Sequence, residues 1–287
     1  MLRALIVTMR PAQWIKNVLV AAAPLAAGDT SSAAVRGTAV AFVSFCLASS
    51  AVYCLNDIVD VDADRLHPTK RRRPIAAGTL ARGPAGAAAV VLIVLAEALA
   101  VAAQTHLLWL IVLVYAGASA AYSLGLKHAA VIELAIVSSG FLLRAVAGGS
   151  AAGLPISQWF LIVAAFGSLL LVAGKRLSEL LAQRDDPAPA RRILSAYTPS
   201  FLRMVITVAA AVTCTAYCLW AFEIGGPDPS NWAAVSVAPF VIALLRYAMD
   251  ADAGRVEEPE VVVRRDRVLQ ALGVIWLITF SIGAFGG

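Results

Sequence analysis

The sequence predicts an all-α protein that spans a membrane with nine helices. Of its 287 residues, 60% are hydrophobic and only 14% are charged. The apolar residues fall into separate stretches of about 17–25 residues, the length that crosses the hydrocarbon core of a bilayer. Helices of this kind satisfy their own backbone hydrogen bonds in lipid, and no loop is long enough for a soluble domain. Residues 1–287 are therefore predicted to form one transmembrane helical domain.

The distribution of basic residues predicts how the spans are oriented. In chain order, the spans are predicted at residues 13–28, 36–56, 84–104, 107–124, 130–151, 157–174, 201–222, 232–249 and 267–285. The N-terminus, the loops after spans two, four, six and eight, and the span ends next to them hold 21 of the 23 Lys and Arg residues. Such an excess is typical of the cytoplasmic side, so the N-terminus is predicted inside and Gly287 outside.

The segment Met1–Arg10 leads into the first span without a small-residue cleavage site, so no cleaved signal peptide is expected. The predicted location is the cell (inner) membrane. The four cysteines all lie in apolar segments without a neighbouring histidine, and we interpret them as small apolar side chains rather than metal ligands.

An acidic cluster follows directly on the second span, at Asn56, Asp57, Asp60 and Asp64. Spacings of three and four put these residues on one face of a helix. Four clustered oxygen side chains repel one another and lose hydration unless a hard cation binds them. The cluster therefore predicts a Mg²⁺ site that completes its shell with substrate phosphate oxygens. The alternative, an exposed acidic helix end, is disfavoured by the helix dipole. Asp62 points elsewhere and is expected to be solvated.

Basic and polar residues on the same predicted side have two interpretations each. The run Lys70–Arg73 either marks topology and contacts anionic lipid, or binds phosphate, for which Arg has a bidentate geometry. Lys16 and Lys127 either snorkel from apolar segments or contact phosphate. The candidates for phosphate binding are Lys16, Asn17, Lys70, Arg71, Arg73, Tyr122, Lys127, Arg144, Lys175 and Arg176.

Two charged residues, Glu133 and Arg144, lie inside the predicted fifth span. Charged residues within a membrane face the bundle interior and are functional candidates by default. Arg144 either serves the site or forms a structural bridge to Glu97 of the third span, and the sequence leaves both open.

The motif Asn56-Asp57-x-x-Asp60-x-x-x-Asp64 on the second of nine spans resembles the signature of the UbiA-type intramembrane prenyltransferase superfamily. The resemblance extends over essentially the whole chain. It implies helices around a central cavity that opens to the cytoplasmic face, where Mg²⁺ held by the Asp residues binds a diphosphate. It also implies a lateral hydrophobic groove for a polyprenyl chain.

Three stretches, residues 13–17, 67–78 and 140–145, are similar to one branch of this superfamily, the actinobacterial decaprenyl-phosphate phosphoribosyltransferases. Two features depart from the wider superfamily. The second Asp-rich motif of the superfamily is not present in full: Glu133 lies in its neighbourhood, and no second Asp follows. Tyr122 and Lys127 are five residues apart where many relatives have four. Both departures argue against a standard aromatic prenylation.

Similarity to this branch implies transfer of 5-phosphoribose from phosphoribosyl pyrophosphate to decaprenyl (polyprenyl) phosphate, as a step towards the arabinan donor of the cell wall. It implies Mg²⁺ as cofactor and the bilayer as partner, with no nucleic acid; a homo-oligomer is left open. We expect Lys70, Arg71 and Arg73 to serve the ribose 5-phosphate or diphosphate, and Lys16 and Lys127 to serve the lipid phosphate. The rivals are prenyl transfer to an aromatic acceptor and cation transport. Transport is disfavoured because the carboxylates lie at one face rather than near the bilayer midplane.

Overall fold

The computed structural model describes residues 1–103, 105, 107–185, 192–225, 231–256, 262 and 265–285, and all regular structure in these residues is helical. The α-helices are α1 (Leu2–Met9), α2 (Ala22–Ala26), α3 (Ser32–Val59), α4 (Val61–Leu66), α5 (Arg82–Ala102), α6 (Leu108–Leu124), α7 (Ile132–Ala151), α8 (Gln158–Asp185), α9 (Pro199–Gly225), α10 (Trp232–Val235), α11 (Val237–Asp252) and α12 (Arg267–Phe285). Short 3₁₀ helices lie at Pro11–Ala21, Lys70–Arg72, Leu126–His128 and Arg192–Ala196.

Helices coincide with all the predicted spans, as far as the described residues reach. Six helical segments of the described chain are long and apolar enough to cross a membrane: Ser32–Val59, Arg82–Ala102, Ile132–Ala151, Gln158–Ala182, Pro199–Glu223 and Trp232–Asp252, the last of which comprises α10 and α11. Two shorter apolar helices, Leu108–Leu124 and Arg267–Gly283, match two further predicted spans. The all-helical, multi-pass class is confirmed. The count of nine spans stays a prediction, and Gly287 lies outside the described residues.

The first predicted span differs from the others in its helix type. Arg10 adopts a left-handed conformation (φ 53°, ψ 61°), ends α1 and precedes the eleven-residue 3₁₀ helix that starts at Pro11. Proline suits the first position of a helix because its missing N–H has no partner there in any case. Hydropathy alone does not separate 3₁₀ from α geometry, so the sequence did not predict this difference.

Contacts divide the chain into two compact units. The first comprises Met1–Leu25, Asp29–Ile136 and Leu143–Ile156, and the second Ala26–Gly28, Val137–Leu142 and Ser157–Gly287. The prediction of a single domain over residues 1–287 remains a prediction.

Helix α3 packs against α5 and α6 in the first unit. Its small residues Ala41 and Ala48 are fully buried beside Phe45. Small residues let the backbones of membrane helices approach closely. The same principle acts at Gly148 of α7, where a Cβ atom would lie only 1.6 Å from the carbonyl oxygen of Val20.

Helices α8, α9 and α11 pack against one another in the second unit. Tyr247 of α11 donates a hydrogen bond to the carbonyl oxygen of Leu171 in α8 at 2.9 Å. An aromatic cluster includes Tyr217, whose hydroxyl accepts a 2.7 Å hydrogen bond from Trp276 Nε1. The polar ends of these rings are thus satisfied inside an apolar bundle.

Candidate active site

The acidic motif spans the junction between α3 and α4. Helix α3 ends at Val59, and Asp60 has φ −88° and ψ 4°, which interrupts the regular helix. The Asp60 N–H still bonds to the Asn56 carbonyl at 2.9 Å, and the Asp64 N–H bonds to the Asp60 carbonyl at 2.8 Å. The motif, whose spacing places it on one helical face, is therefore divided between two helices.

Asp57 and Asp64 are buried and share one basic side chain. Their exposed fractions are 2% and 3%. Arg73 Nη1 lies 3.1 Å from Asp57 Oδ1 and 2.7 Å from Asp64 Oδ2. Buried carboxylates are tolerated only when paired and hydrogen-bonded, and Arg73 is a partner of both.

Arg10 is a second partner of Asp57. Its Nη2 lies 2.5 Å from Asp57 Oδ1, and its guanidinium lies 4.8 Å from the ring centroid of Tyr53. The sequence-based candidates did not include this residue. The available signal was a basic residue directly before Pro11, on the side predicted to hold the acidic motif.

The end of α6 brings two more polar groups to the motif. Lys127 forms an ion pair with Asp60. Ser123 Oγ lies 3.3 Å from Asn56 Oδ1. Tyr122 is half-buried beside Ser123. Ser123 and Lys127 thus both contact the acidic motif.

Asp62 faces solvent, as its position on a different side predicted. Its side chain is 80% exposed and pairs with Arg65 at 3.2 Å and with Arg82 at 3.5 Å. Exposed pairs of this kind contribute little to stability. Asp62 is therefore a natural comparison residue for the buried acids.

Asn17 and Arg144 form a buried cluster farther inside the first unit. Arg144 Nε donates to Asn17 Oδ1 at 2.7 Å, and its Nη2 donates to the Tyr115 hydroxyl at 3.0 Å. The guanidinium also lies 4.8 Å from the ring centroid of Tyr115. Glu97 Oε1 is buried without a hydrogen-bond partner among the described residues, so the suggested bridge between Glu97 and Arg144 is not found.

The remaining candidates differ in exposure. Lys16 and Lys70 are half-buried, Arg71 is exposed, and Glu133 is fully buried at the start of α7. In the second unit, Arg176 is buried and donates to Glu179 at 2.8 Å, and Lys175 lies 4.0 Å from the same carboxyl group.

His67 helps to shape the loop that carries Arg73. Its Nδ1 accepts hydrogen bonds from the backbone N–H groups of Thr69 at 3.3 Å and Lys70 at 3.4 Å. Partial burial and the neighbouring Lys70 charge lower the pKa of His67 below its ordinary value. The neutral imidazole, which can accept these bonds, is therefore the form present at neutral pH.

Comparisons with known proteins show the family of the chain. The profile of the UbiA prenyltransferase family matches residues 17–263. The chain belongs to this family.

Proteins similar to this UbiA-family chain include curated relatives and solved structures. Decaprenyl-phosphate phosphoribosyltransferase of Mycobacterium tuberculosis is 50% identical, over 97% of this chain and 93% of the relative. Its namesake from Corynebacterium glutamicum is 46% identical, over 98% of this chain and 86% of the relative. The structure of a UbiA homologue from Archaeoglobus fulgidus, bound to GPP and Mg²⁺, has a TM-score of 0.73 at 17% identity and covers 99% of this chain and 100% of its own. The last comparison establishes the fold.

The side-chain oxygens of the acidic residues in this UbiA-family chain are suitable ligands for a hard divalent cation. Within the described ranges, no group of three or more acidic, histidine or cysteine side chains forms a ready-made metal site. However, a positively charged nitrogen, Arg73 Nη1, lies between oxygens of two buried carboxylates. Carboxylate oxygens are the ligands that Mg²⁺ prefers, and a cation on these two oxygens would replace the charge that Arg73 supplies.

Proposed function

We propose that this chain transfers the 5-phosphoribosyl group of phosphoribosyl pyrophosphate to decaprenyl phosphate, or a similar polyprenyl phosphate, and releases diphosphate. The observation that carries the proposal is the pair of buried carboxylates, Asp57 and Asp64, which contact Arg10 and Arg73, next to Asp60 with its partner Lys127. Such a site can bind a metal–diphosphate and further phosphate groups together. The names of the relatives at 46% and 50% identity support this reaction over transfer of a prenyl group to an aromatic acceptor.

In the proposed site, Asp57, Asp60, Asp64 and Asn56 hold Mg²⁺. The Mg²⁺ bound to the Archaeoglobus fulgidus homologue supports a divalent ion in this fold. When bound, the ion supplies electrostatic stabilisation of the negative charge that develops on the leaving diphosphate.

The chain's own basic residues orient the phosphates. Arg73 and Arg10 are close enough to the acidic motif to bind the diphosphate or the ribose 5-phosphate, together with Lys70 and Arg71 of the same loop. Lys127 and Lys16 are assigned to the lipid phosphate. Arginine suits these contacts because its planar guanidinium binds two phosphate oxygens at once.

The proposed reaction needs no protein base. The C1–O bond to the diphosphate breaks, the diphosphate keeps the electron pair, and an oxygen of the lipid phosphate forms the new bond to C1. A phosphate monoester is already anionic at neutral pH, because its second pKa is about 6. A single in-line displacement inverts the configuration at C1.

The site is proposed to face the cytoplasm. The basic residues concentrate at the N-terminus and in alternate loops, and the acidic motif lies between α3 and the basic run that follows it. A charged, water-soluble donor would then reach the site from the cytoplasm, while the acceptor and product stay in the membrane through their prenyl chains.

A matched pair of substitutions tests the proposal. Asp57→Asn removes a buried charge that touches Arg10 and Arg73, whereas Asp62→Asn removes an exposed one at the same junction. We expect transfer of labelled phosphoribose to decaprenyl phosphate to fall by about 10²–10³-fold in Asp57→Asn, the scale of losing one preorganised electrostatic contact. Asp62→Asn is expected to stay near the wild-type rate. Full Mg²⁺-dependent transfer by Asp57→Asn would contradict the assignment.

A further inference from the structure

One carboxylate oxygen of the acidic motif contacts two guanidinium groups. Asp57 Oδ1 lies 2.5 Å from Arg10 Nη2 and 3.1 Å from Arg73 Nη1. Arg73 Nη1 also reaches Asp64. Any divalent cation that binds these buried oxygens therefore competes with two positively charged side chains.

Both guanidinium groups are held from segments outside α3. Arg10 lies at the left-handed junction before Pro11, and Arg73 lies in the loop after α4. Their side chains are 26% and 24% exposed, whereas Asp57 is only 2% exposed. A ligand from solvent can therefore reach the arginines without unfolding of α3, and the arginines can turn towards it while the carboxylates stay in place.

The formal charges of this group balance. The carboxylates of Asp57 and Asp64 offset the guanidinium groups of Arg10 and Arg73. Adding a divalent cation alone leaves an excess of two positive charges in a poorly solvated place, which is costly at short range. Adding a diphosphate together with the cation removes this excess, because the diphosphate oxygens take the cation and both arginines as partners.

We propose that Arg10 and Arg73 couple the binding of the divalent cation to the binding of the diphosphate-bearing substrate. Arg10 and Arg73 compete with the cation for Asp57 and Asp64, and the substrate's diphosphate draws them off the carboxylates. This inference rests on the proposed function and gives Arg10 a part in both binding events. Coupling between two ligands is reciprocal, so the cation raises substrate affinity by the same factor by which the substrate raises cation affinity.

Metal binding by the purified full-length chain in detergent tests the inference, with Mn²⁺ as the probe and free Mn²⁺ measured by electron paramagnetic resonance. Phosphoribosyl pyrophosphate is added without lipid acceptor in a second series, and a protein-free titration corrects for Mn²⁺ bound by the substrate itself. The variants are Arg10→Met and Arg73→Met. The matched controls are Arg72→Met, an exposed neighbour on the same loop, and Arg73→Lys, which keeps the competing charge.

These substitutions should strengthen Mn²⁺ binding, whereas removal of an ordinary metal ligand would weaken it. Arg73→Met and Arg10→Met should bind Mn²⁺ alone about tenfold or more tightly than the wild type, within the usual range of coupling between sites. Arg72→Met should match the wild type, and Arg73→Lys should stay closer to the wild type than Arg73→Met does. The substrate should tighten Mn²⁺ binding strongly in the wild type and much less in Arg73→Met.

Two failures are distinguishable. Mn²⁺ affinities that are equal in the wild type, Arg10→Met and Arg73→Met would overturn the coupling and leave the proposed reaction standing. No Mn²⁺ binding by the wild type, even with saturating substrate, would overturn the proposed function itself. Size-exclusion elution and tryptophan fluorescence establish that each variant is folded. If Arg73→Met does not fold, Arg10→Met decides the question alone.

Discussion

At the scale of single residues, the α3–α4 junction carries two kinds of carboxylate, buried and exposed. Asp57 and Asp64 are buried and depend on Arg73, because a buried charge that loses its partner is strongly destabilising. Asp62 has similar chemistry but is 80% exposed, and its ion pairs are screened by water. The local spacing of the motif therefore matters less than which side chain the rest of the fold brings to each acid.

Lys127 gives a prediction in which stability and activity respond differently. Its ion pair with Asp60 is partly exposed, with side chains 16% and 26% accessible, so Lys127→Met should change the free energy of unfolding by less than about 1 kcal/mol. If Lys127 binds substrate phosphate, kcat/KM should fall by about 10–100-fold, because a charge-assisted contact contributes about 1.5–3 kcal/mol. Thermal unfolding and the transfer assay measure the two effects.

The control for this experiment is Lys127→Arg, which keeps the charge and should recover part of the activity. A normal kcat/KM in Lys127→Met would remove Lys127 from the site.

At the scale of elements, α7 lies very close to the first 3₁₀ helix. Gly148 is the contact point, since a Cβ atom there would lie 1.6 Å from the Val20 carbonyl oxygen. Asn17 of the same 3₁₀ helix accepts a hydrogen bond from Arg144 of α7. Close backbone approach and this buried hydrogen bond therefore fix the two segments together.

Gly148→Ala should lower the free energy of unfolding by at least about 1–3 kcal/mol, the usual cost of overpacking. Gly117→Ala is the matched control, because Gly117 lies in α6 with nothing within 4 Å of its Cβ position. Alanine is the better helix former by about 1 kcal/mol, so this control should be neutral or stabilising. Unfolding in detergent, followed by circular dichroism, measures both. An unchanged melting temperature in Gly148→Ala would show that the two segments separate easily.

The sequence predicted the elements better than their contacts. The apolar lengths located the helices, and the spacing of Asp57, Asp60 and Asp64 identified the motif, because both signals are local. The pairs Arg10–Asp57 and Lys127–Asp60 join residues 47 and 67 positions apart. Such pairs depend on how helices pack, which local spacing does not encode. Likewise, the predicted first span contains Asn17 but does not predict its hydrogen bond with Arg144.

At the scale of the whole molecule, charge asymmetry predicts the orientation in the membrane. The family match from residue 17 to residue 263 spans most of the chain, and the proposed reaction requires that a water-soluble donor and a lipid acceptor meet at one face. We propose that the acidic motif lies on the cytoplasmic side.

Cysteine labelling tests this orientation. After replacement of the four native cysteines, Arg72→Cys should react with a membrane-impermeant maleimide only in inside-out vesicles, and Thr30→Cys only in intact spheroplasts. Both positions are exposed and lie on opposite sides of α3 in the sequence. Labelling of Arg72→Cys from outside would reverse the proposed topology.

The most direct test of the central claim is the choice of donor by the purified protein in liposomes. In one reaction it receives labelled phosphoribosyl pyrophosphate with decaprenyl phosphate, and in the other a labelled polyprenyl diphosphate with an aromatic acid, each with and without Mg²⁺. The account predicts a labelled lipid and released diphosphate only in the first reaction, and only with Mg²⁺. Product in the second reaction alone would contradict it.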